Sequence, residues 1–183
     1  MTDLESLLHQ LQTAAAERTD PGSPLLLAID GRCGSGKSTL AESLHNRFGW
    51  SIIHLDCFYL RAEQRSEARY AEPGGNVDRE RFAAEVLEPL KKGAVPCGSS
   101  FTYYPIEHGT FRVSPDGITV PATQVMVIEG SYSLHPELRD FYDSRIFLTI
   151  DPDTQRQRIL ARNEKQFSAR VFRCYLPHRV YRV

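Results

Sequence analysis

The sequence lacks several features that would assign it to a simple class. No apolar run approaches the roughly 20 residues that a membrane-spanning helix needs. The net charge is −1 over 183 residues, so no overall field draws the chain to nucleic acid or to an anionic membrane. No repeat or low-complexity tract is present. With 41% hydrophobic residues, the chain is expected to form a single domain, 1–183, with a sizeable core.

The sequence also lacks a regular cysteine spacing and a secretory signal. No two cysteines have C-x-x-C spacing, and this scatter is typical of reduced thiols in a cytoplasmic protein rather than of a disulfide framework. Acids at Asp3 and Glu5 are unlike the start of a secretory signal. We therefore expect a cytoplasmic protein with no membrane attachment. The four cysteines are Cys33, Cys57, Cys97 and Cys174.

One stretch does carry a chemical pattern. Residues 31–39 read G-R-C-G-S-G-K-S-T and fit G-x-x-x-x-G-K-S/T, in which backbone N–H groups surround phosphates, Lys37 reaches the outer phosphates and Ser38 holds Mg²⁺. An apolar run at 24–29 precedes it and a helical spacing over 37–48 follows, so a helix N-terminus should face the phosphates. A glycine-rich surface turn is the alternative. The expected nucleotide contacts are Gly31, Arg32, Cys33, Gly34, Ser35, Gly36, Lys37, Ser38 and Thr39.

Short apolar runs alternate with helical patterns along the rest of the chain. This alternation predicts an α/β fold, a doubly wound parallel sheet with helices on both faces. An amphipathic helix within 1–20 is expected to pack on the domain, with dimerisation as the alternative. Residues 57–77 are expected to form an exposed, mobile connection, and 99–121 a small β insertion with runs at 101–104, 110–113 and 118–120. The predicted strands are 24–29, 51–56, 125–128 and 146–150, and the later predicted helices are 78–93, 136–142 and 154–162.

Each predicted sheet strand ends in an acid. The four are Asp30, Asp56, Glu129 and Asp151. They should line the edge that holds the glycine loop, because ligands bind at the carboxyl ends of parallel strands. For Asp30 and Asp151, capping of a following helix is the favoured interpretation, whereas Asp56 and Glu129 are favoured as functional. We predict Asp56 as the base that orients and deprotonates an acceptor hydroxyl, and Glu129 as the acid that binds Mg²⁺ with Ser38.

The helix after Asp151 is rich in arginine. Arg158 and Arg162 are four residues apart and share a face, with Arg156 nearby. Phosphoryl transfer needs positive charge on the moving group, so these arginines are predicted to form a lid over the phosphates. Solvated surface arginines are the alternative.

These motifs together resemble the uridine kinase and phosphoribulokinase group of P-loop small-molecule kinases. The resemblance covers roughly residues 24–163 and implies the P-loop NTPase fold, Mg²⁺, and ATP- or GTP-dependent phosphorylation of a hydroxyl. It also implies that Asp56 is the base and that Tyr59 contacts the acceptor. The matching pieces are residues 29–39, D-C-F-Y at 56–59, residues 78–90, V-I-E-G at 127–130, P-E-L-R-D at 136–140, residues 146–153, Arg158 and Arg162.

Two departures separate the chain from uridine kinases. Those proteins have an aspartate soon after a proline, placed to bind ribose, where this chain has Pro73-Gly74-Gly75. Their Tyr-Asp-Phe and His signature is matched only loosely, at 103–108. Tyr103 and His108 could line the acceptor site, with an aromatic strand and a surface histidine as the alternative. Uridine is therefore not carried over as the acceptor.

The motifs also bear on other functions. The chain lacks the D-x-x-G and N-K-x-D signatures of a GTPase. A kinase for a sugar or pantothenate-like acceptor remains open, as does a catalytically weak nucleotide-binding module. The lid helix and an atypical basic tail span 154–183; nucleic-acid binding by this tail is disfavoured against an altered C-terminus. The expected partner is a small-molecule hydroxyl acceptor, and a homo-oligomer is left open.

Overall fold

The computed structural model describes residues 3–17, 22–107 and 109–164. Four parallel strands form its main sheet, which runs in the order Ser51–His54, Val125–Glu129, Leu25–Gly31 and Ser144–Leu148. The strands are β1 (Leu25–Gly31), β2 (Ser51–His54), β5 (Val125–Glu129) and β6 (Ser144–Leu148). The predicted parallel α/β fold is thus confirmed, with strand boundaries shifted by a few residues.

Helices cover both faces of this sheet, because alternate side chains of a strand point to opposite faces. On one face, Leu27 and Val127 join a cluster with α1 (Asp3–Ala16) and α2 (Lys37–Phe48). On the other, Leu26 and Met126 join a cluster with the helical stretch beyond Asp78. That stretch comprises α4 (Arg79–Phe82), a π-helical segment (Ala83–Leu87) and α5 (Glu88–Lys91). The first helix therefore packs on the sheet, as expected; dimerisation is not tested.

The predicted β insertion is present in reduced form. Strands β3 (Ser100–Tyr103) and β4 (Ile118–Pro121) form an antiparallel pair. The run at 110–113 is not a strand and contributes only an isolated bridge between Ile106 and Val113. Phe111 has a φ of 53° there, a left-handed conformation that interrupts an extended run.

Two further expectations were wrong. The helix predicted at 136–142 is a 3₁₀ turn, Arg139–Phe141. The connection at 57–77 is not simply exposed, since Phe58 and Leu60 are buried in the core beside Val77. It follows the 3₁₀ turn Leu55–Cys57 and contains a second one, Ala62–Gln64, and the short helix α3 (Glu67–Ala71).

The last described element is α6 (Pro152–Glu164). The basic tail that follows it lies outside the described residues. Within the described ranges, no helix is both long and apolar enough to cross a membrane. The carboxyl ends of β1 and β5 and the start of α2 meet at one edge of the sheet, and the predicted site residues gather there.

Candidate active site

The glycine loop connects β1 directly to α2. Gly34 and Gly36 have φ values of 79° and 100°, which L side chains rarely adopt. Gly36 is the N-cap of α2, and no side chain caps this helix end. The first-turn N–H groups of a 12-residue helix therefore face the loop without a competing side-chain acceptor, the arrangement that binds phosphate. The Ser35 hydroxyl is buried in the loop and makes no hydrogen bond with any residue that the structure describes.

Lys37 spans this loop from the first position of α2. Its Nζ donates to the carbonyl oxygens of Gly31 (2.9 Å) and Arg32 (3.2 Å) and to Ser131 Oγ (3.2 Å). The residue is 9% exposed, so the ammonium is held inside the loop rather than in solvent. It supplies the positive charge that a phosphate-binding loop needs at its centre.

Ser38 and Glu129 form the predicted metal-binding pair. The Ser38 hydroxyl donates to Glu129 Oε2 at 3.3 Å, so two oxygens from α2 and β5 already face each other. Mg²⁺ takes few protein oxygens and fills its remaining positions with water and phosphate. The donor set therefore fits Mg²⁺ in type and number, although the described residues contain no group of three or more His, Cys, Asp or Glu able to hold a metal.

His54 is a member of this site that the sequence interpretation missed. Its Nδ1 lies 2.6 Å from Glu129 Oε1. The pKa of His54 is raised, first by its hydrogen bond to Glu129 and then, against the opposing effect of burial, by the charges of Glu129, Asp56 and Glu42. The available signal was its place at a strand end, two residues before Asp56, where only acids were considered.

Asp56 lies in the 3₁₀ turn that follows β2. The residue is exposed at the carboxyl edge of the sheet. Partial desolvation raises its pKa, as does the charge of Glu129, while Lys37 and a hydrogen bond with Tyr59 act in the opposite direction. A carboxyl group whose pKa is shifted by desolvation and by a charged neighbour is a candidate functional group.

The predicted acceptor-side residues are not brought together in the same way. Tyr59 does contact Asp56. Tyr103 is only 2% exposed and lies in the core, its ring centroid 5.8 Å from that of Phe58. Its hydroxyl bonds Cys57 and the His54 backbone, and burial raises its pKa. This placement matches the aromatic-strand alternative, and contact of Tyr103 with an acceptor stays a prediction. His108 lies outside the described residues.

Glycines stand at 74 and 75, where the resemblance to uridine kinases implies an aspartate, and the structure gives a physical reason. A Cβ on Gly74 would lie 2.8 Å from Cγ of Tyr132, and Gly74 itself has a φ of 67°. A Cβ on Gly75 would overlap the carbonyl oxygen of Arg69. No acid fits at either position without displacing a neighbour. Tyr132, another residue that sequence reasoning missed, thus occupies the space beside Gly74.

The two remaining strand-end acids have structural roles. Asp30 accepts hydrogen bonds from the N–H groups of Gly31, Tyr132 and Leu134. This fixes the turn after β5, where Tyr132 has an unusual φ of 69°. Asp151 accepts from the N–H groups of Asp153 and Thr154 at the start of α6. Helix capping was thus the right alternative for Asp151, whereas Asp30 braces a turn rather than a helix.

The arginine helix contacts the loop at two points. Arg158 Nη1 donates to the carbonyl oxygen of Gly34 at 3.2 Å, and Gln155 Nε2 donates to that of Cys33 at 2.9 Å. Arg162 is exposed one turn further along α6. The structure therefore brings Arg158, but not Arg162, to the phosphate loop.

Comparisons with known proteins agree with this picture. A uridine kinase of Clostridium novyi is 29% identical over 152 residues, which cover 78% of this chain and 70% of that protein. A uridine kinase of Brevibacillus brevis is 26% identical over 152 residues, 78% of this chain and 67% of that one. No family model matches the chain.

Solved structures share the fold. A possible uridine kinase from Bacillus stearothermophilus has a TM-score of 0.59 at 18% identity, covering 91% of this chain and 97% of its own. A proposed fructose transport system kinase from Silicibacter sp. TM1040 has a TM-score of 0.63 at 23% identity, covering 87% and 81%. The resemblance drawn from the motifs is confirmed, and the fold is that of the P-loop kinases.

Proposed function

We propose that this uridine kinase-like chain is a small-molecule kinase that transfers the γ-phosphoryl group of ATP or GTP to a hydroxyl of a nucleoside or related metabolite. One observation carries the proposal. A phosphate loop with its lysine, a Ser38–Glu129 oxygen pair and the carboxyl group of Asp56 share one sheet edge. This combination provides a phosphate site, a metal site and a base, which are the parts that phosphoryl transfer requires.

The loop is proposed to bind the phosphates of the donor nucleotide. The glycine backbone and the start of α2 supply N–H donors, and Lys37 exchanges its bonds to loop carbonyls for bonds to phosphate oxygens. The positive charge thus stands where negative charge builds up during transfer. Such preorganised charge lowers the barrier because it needs no reorganisation during the reaction.

Ser38 and Glu129 are proposed to hold Mg²⁺ through their facing oxygens. When bound, that ion supplies neutralisation of the charge on the phosphate oxygens. Use of a nucleotide with Mg²⁺ is general among P-loop kinases. The preference between ATP and GTP is open in this proposal.

Asp56 is proposed to accept the proton of the acceptor hydroxyl as its oxygen attacks the phosphorus. The pKa of Asp56 is raised toward neutral pH, so its carboxylate is a better proton acceptor than that of an ordinary aspartate. Tyr59, hydrogen-bonded to Asp56, is proposed to orient that carboxyl toward the acceptor. Arg158 is proposed to add positive charge from α6, with Arg162 joining it only if the helix moves.

A non-nucleoside acceptor is the second candidate. The contact between Gly74 and the Tyr132 ring favours it, because it leaves no room for the acid that the resemblance assigns to ribose binding. A sugar or a pantothenate-like alcohol needs no such acid. The cytoplasmic location and any homo-oligomer stay predictions.

The test is an ADP- and GDP-release screen with Mg-ATP and Mg-GTP over nucleosides, sugars and vitamin precursors. The proposal expects release that depends on one class of acceptor, with Lys37→Ala as the blank. Nucleotide binding without turnover on any acceptor would instead favour the catalytically weak binding module.

A further inference from the structure

Glu129 is held by two different neighbours, one at each carboxylate oxygen. His54, the last residue of β2, stands opposite Glu129, the last residue of β5, in the parallel register. His54 Nδ1 lies 2.6 Å from Oε1, whereas Oε2 accepts the Ser38 hydroxyl at 3.3 Å. Glu129 is 5% exposed, so the rotation of its carboxylate is set by these two partners rather than by solvent.

From this geometry we infer that His54 is a positioning residue that keeps Glu129 Oε2 turned toward Ser38 and so maintains the Mg²⁺ site. The inference rests on the proposed function, because it assumes that the Ser38–Glu129 pair takes the metal. Neither the motif resemblance nor any predicted site residue includes His54. Its role is exerted through Glu129 and not through contact with the nucleotide.

The side chain of His54 is suited to positioning rather than to core packing. It is 45% exposed while that of Glu129 is 6% exposed, so replacing the imidazole leaves no closed cavity. The terminal torsion of glutamate is broad and holds no angle by itself. Without a donor at Oε1, the carboxylate is free to turn away from Ser38, and outer partners of this kind typically change metal affinity by 10- to 100-fold.

Three variants separate this role from a general structural one. His54→Leu removes the donor, while His54→Asn places an amide N–H close to the position of Nδ1. His9→Leu, at an exposed position of α1, is the matched control. The dissociation constants of ATP and GTP are measured on the full chain by calorimetry, once with Mg²⁺ and once with EDTA.

The expected result is a roughly tenfold weaker binding by His54→Leu in Mg²⁺ and unchanged binding in EDTA. His54→Asn should recover most of the loss, and His9→Leu should match the unchanged protein. In a double-mutant cycle with Glu129→Gln, the His54→Leu loss should largely disappear, since both act on one carboxylate.

Two outcomes overturn the inference alone: His54→Leu binds Mg-nucleotide as the unchanged protein does, or it weakens binding equally in EDTA. Failure of the unchanged protein to bind either nucleotide would instead overturn the proposed function, and the inference with it. The Mg²⁺ and EDTA arms thus distinguish the two failures.

Discussion

Two glycines on the donor side of the candidate site differ from two on its acceptor side in what surrounds them. On the donor side, a Cβ at Gly36 would meet nothing within 4 Å, and one at Gly34 would make only ordinary contact at 3.5 Å. On the acceptor side, Gly74 and Gly75 are closely covered, by the Tyr132 ring and the Arg69 carbonyl. Gly34 and Gly36 thus leave room for a ligand, whereas Gly74 and Gly75 let two chain segments pack together, as does Gly31, whose backbone lies against the carbonyl oxygen of Leu148.

The charged groups differ in the same sense. Among the described residues, Lys37 donates to two loop carbonyls and one hydroxyl, partners that phosphate oxygens can replace. Arg69 and Arg79 are instead paired with Glu72, Glu80 and Glu137 around the Gly-Gly turn. Arg69 and Arg79 therefore stabilise the turn. The difference teaches that a motif match is informative about binding only where the matched groups can still contact a ligand.

The largest effect is expected at the boundary of the two sides. Asp56→Asn removes the base but keeps the shape of the side chain, so kcat should fall by about 10²- to 10⁴-fold. The dissociation constant of Mg-nucleotide should change little, since Asp56 lies beyond the loop. Turnover and calorimetric binding, measured on the same preparation, check this. Full activity of Asp56→Asn would remove it as the base.

The close packing around Gly74 can be tested by introducing the aspartate that the resemblance to uridine kinases implies there. Gly74→Asp should destabilise the protein by about 3 kcal/mol, because the new side chain meets the Tyr132 ring and takes a left-handed backbone conformation. Denaturant unfolding gives the free energy.

The matched double variant combines Gly74→Asp with Tyr132→Gly. Its loss of unfolding free energy should be much smaller than the sum of the two single losses, because the tyrosine ring is gone. Strict additivity would mean that the Gly74–Tyr132 contact does not control this position.

The pH dependence tests Asp56 within its surroundings. Only the deprotonated carboxylate accepts a proton, so kcat/KM should fall as the pH drops through the pKa of Asp56. That pKa is raised, first by desolvation and then by Glu129, so the fall should lie above the ordinary value of about 3.9. The residual kcat/KM of Asp56→Asn should not show this fall at low pH. A profile that is identical in the two proteins would assign the fall to another group.

The smallest effect is expected on α6. Arg158→Ala should lower kcat roughly tenfold, less than the 10²- to 10³-fold typical of a donor within a dry site, because Arg158 is exposed. Arg162→Ala is the matched control and should have little effect. Equal losses in initial-rate assays would indicate that both arginines close over the phosphates.

The donor side could be predicted from the sequence because its information is local. The glycine spacing, Lys37 and Ser38 lie in one short stretch, and the buried strand before them fixes the sheet edge. The partnership of Ser38 with Glu129 also follows from parallel strands, whose ends meet at one edge. The same logic missed His54, because only the acids at the strand ends were considered.

The acceptor side could not be predicted because its contacts are non-local. Gly74 is 58 positions from Tyr132 in sequence, and their packing depends on a turn that Asp30 braces from a third segment. The alternating pattern at 101–103 does fit a strand, but periodicity does not tell that Tyr103 faces the core. The predicted helix at 136–142 failed because its P-E-L-R-D residues suit a helix start and a 3₁₀ turn equally.

The central claim is that a phosphoryl group passes from the loop-bound nucleotide to a hydroxyl. The most direct measurement is mass spectrometry of the acceptor alongside ADP or GDP release, with Lys37→Ala as the blank. The account predicts that the acceptor gains one phosphoryl group for each nucleoside diphosphate formed. Diphosphate release matched by free phosphate, with the acceptor unchanged, would contradict it.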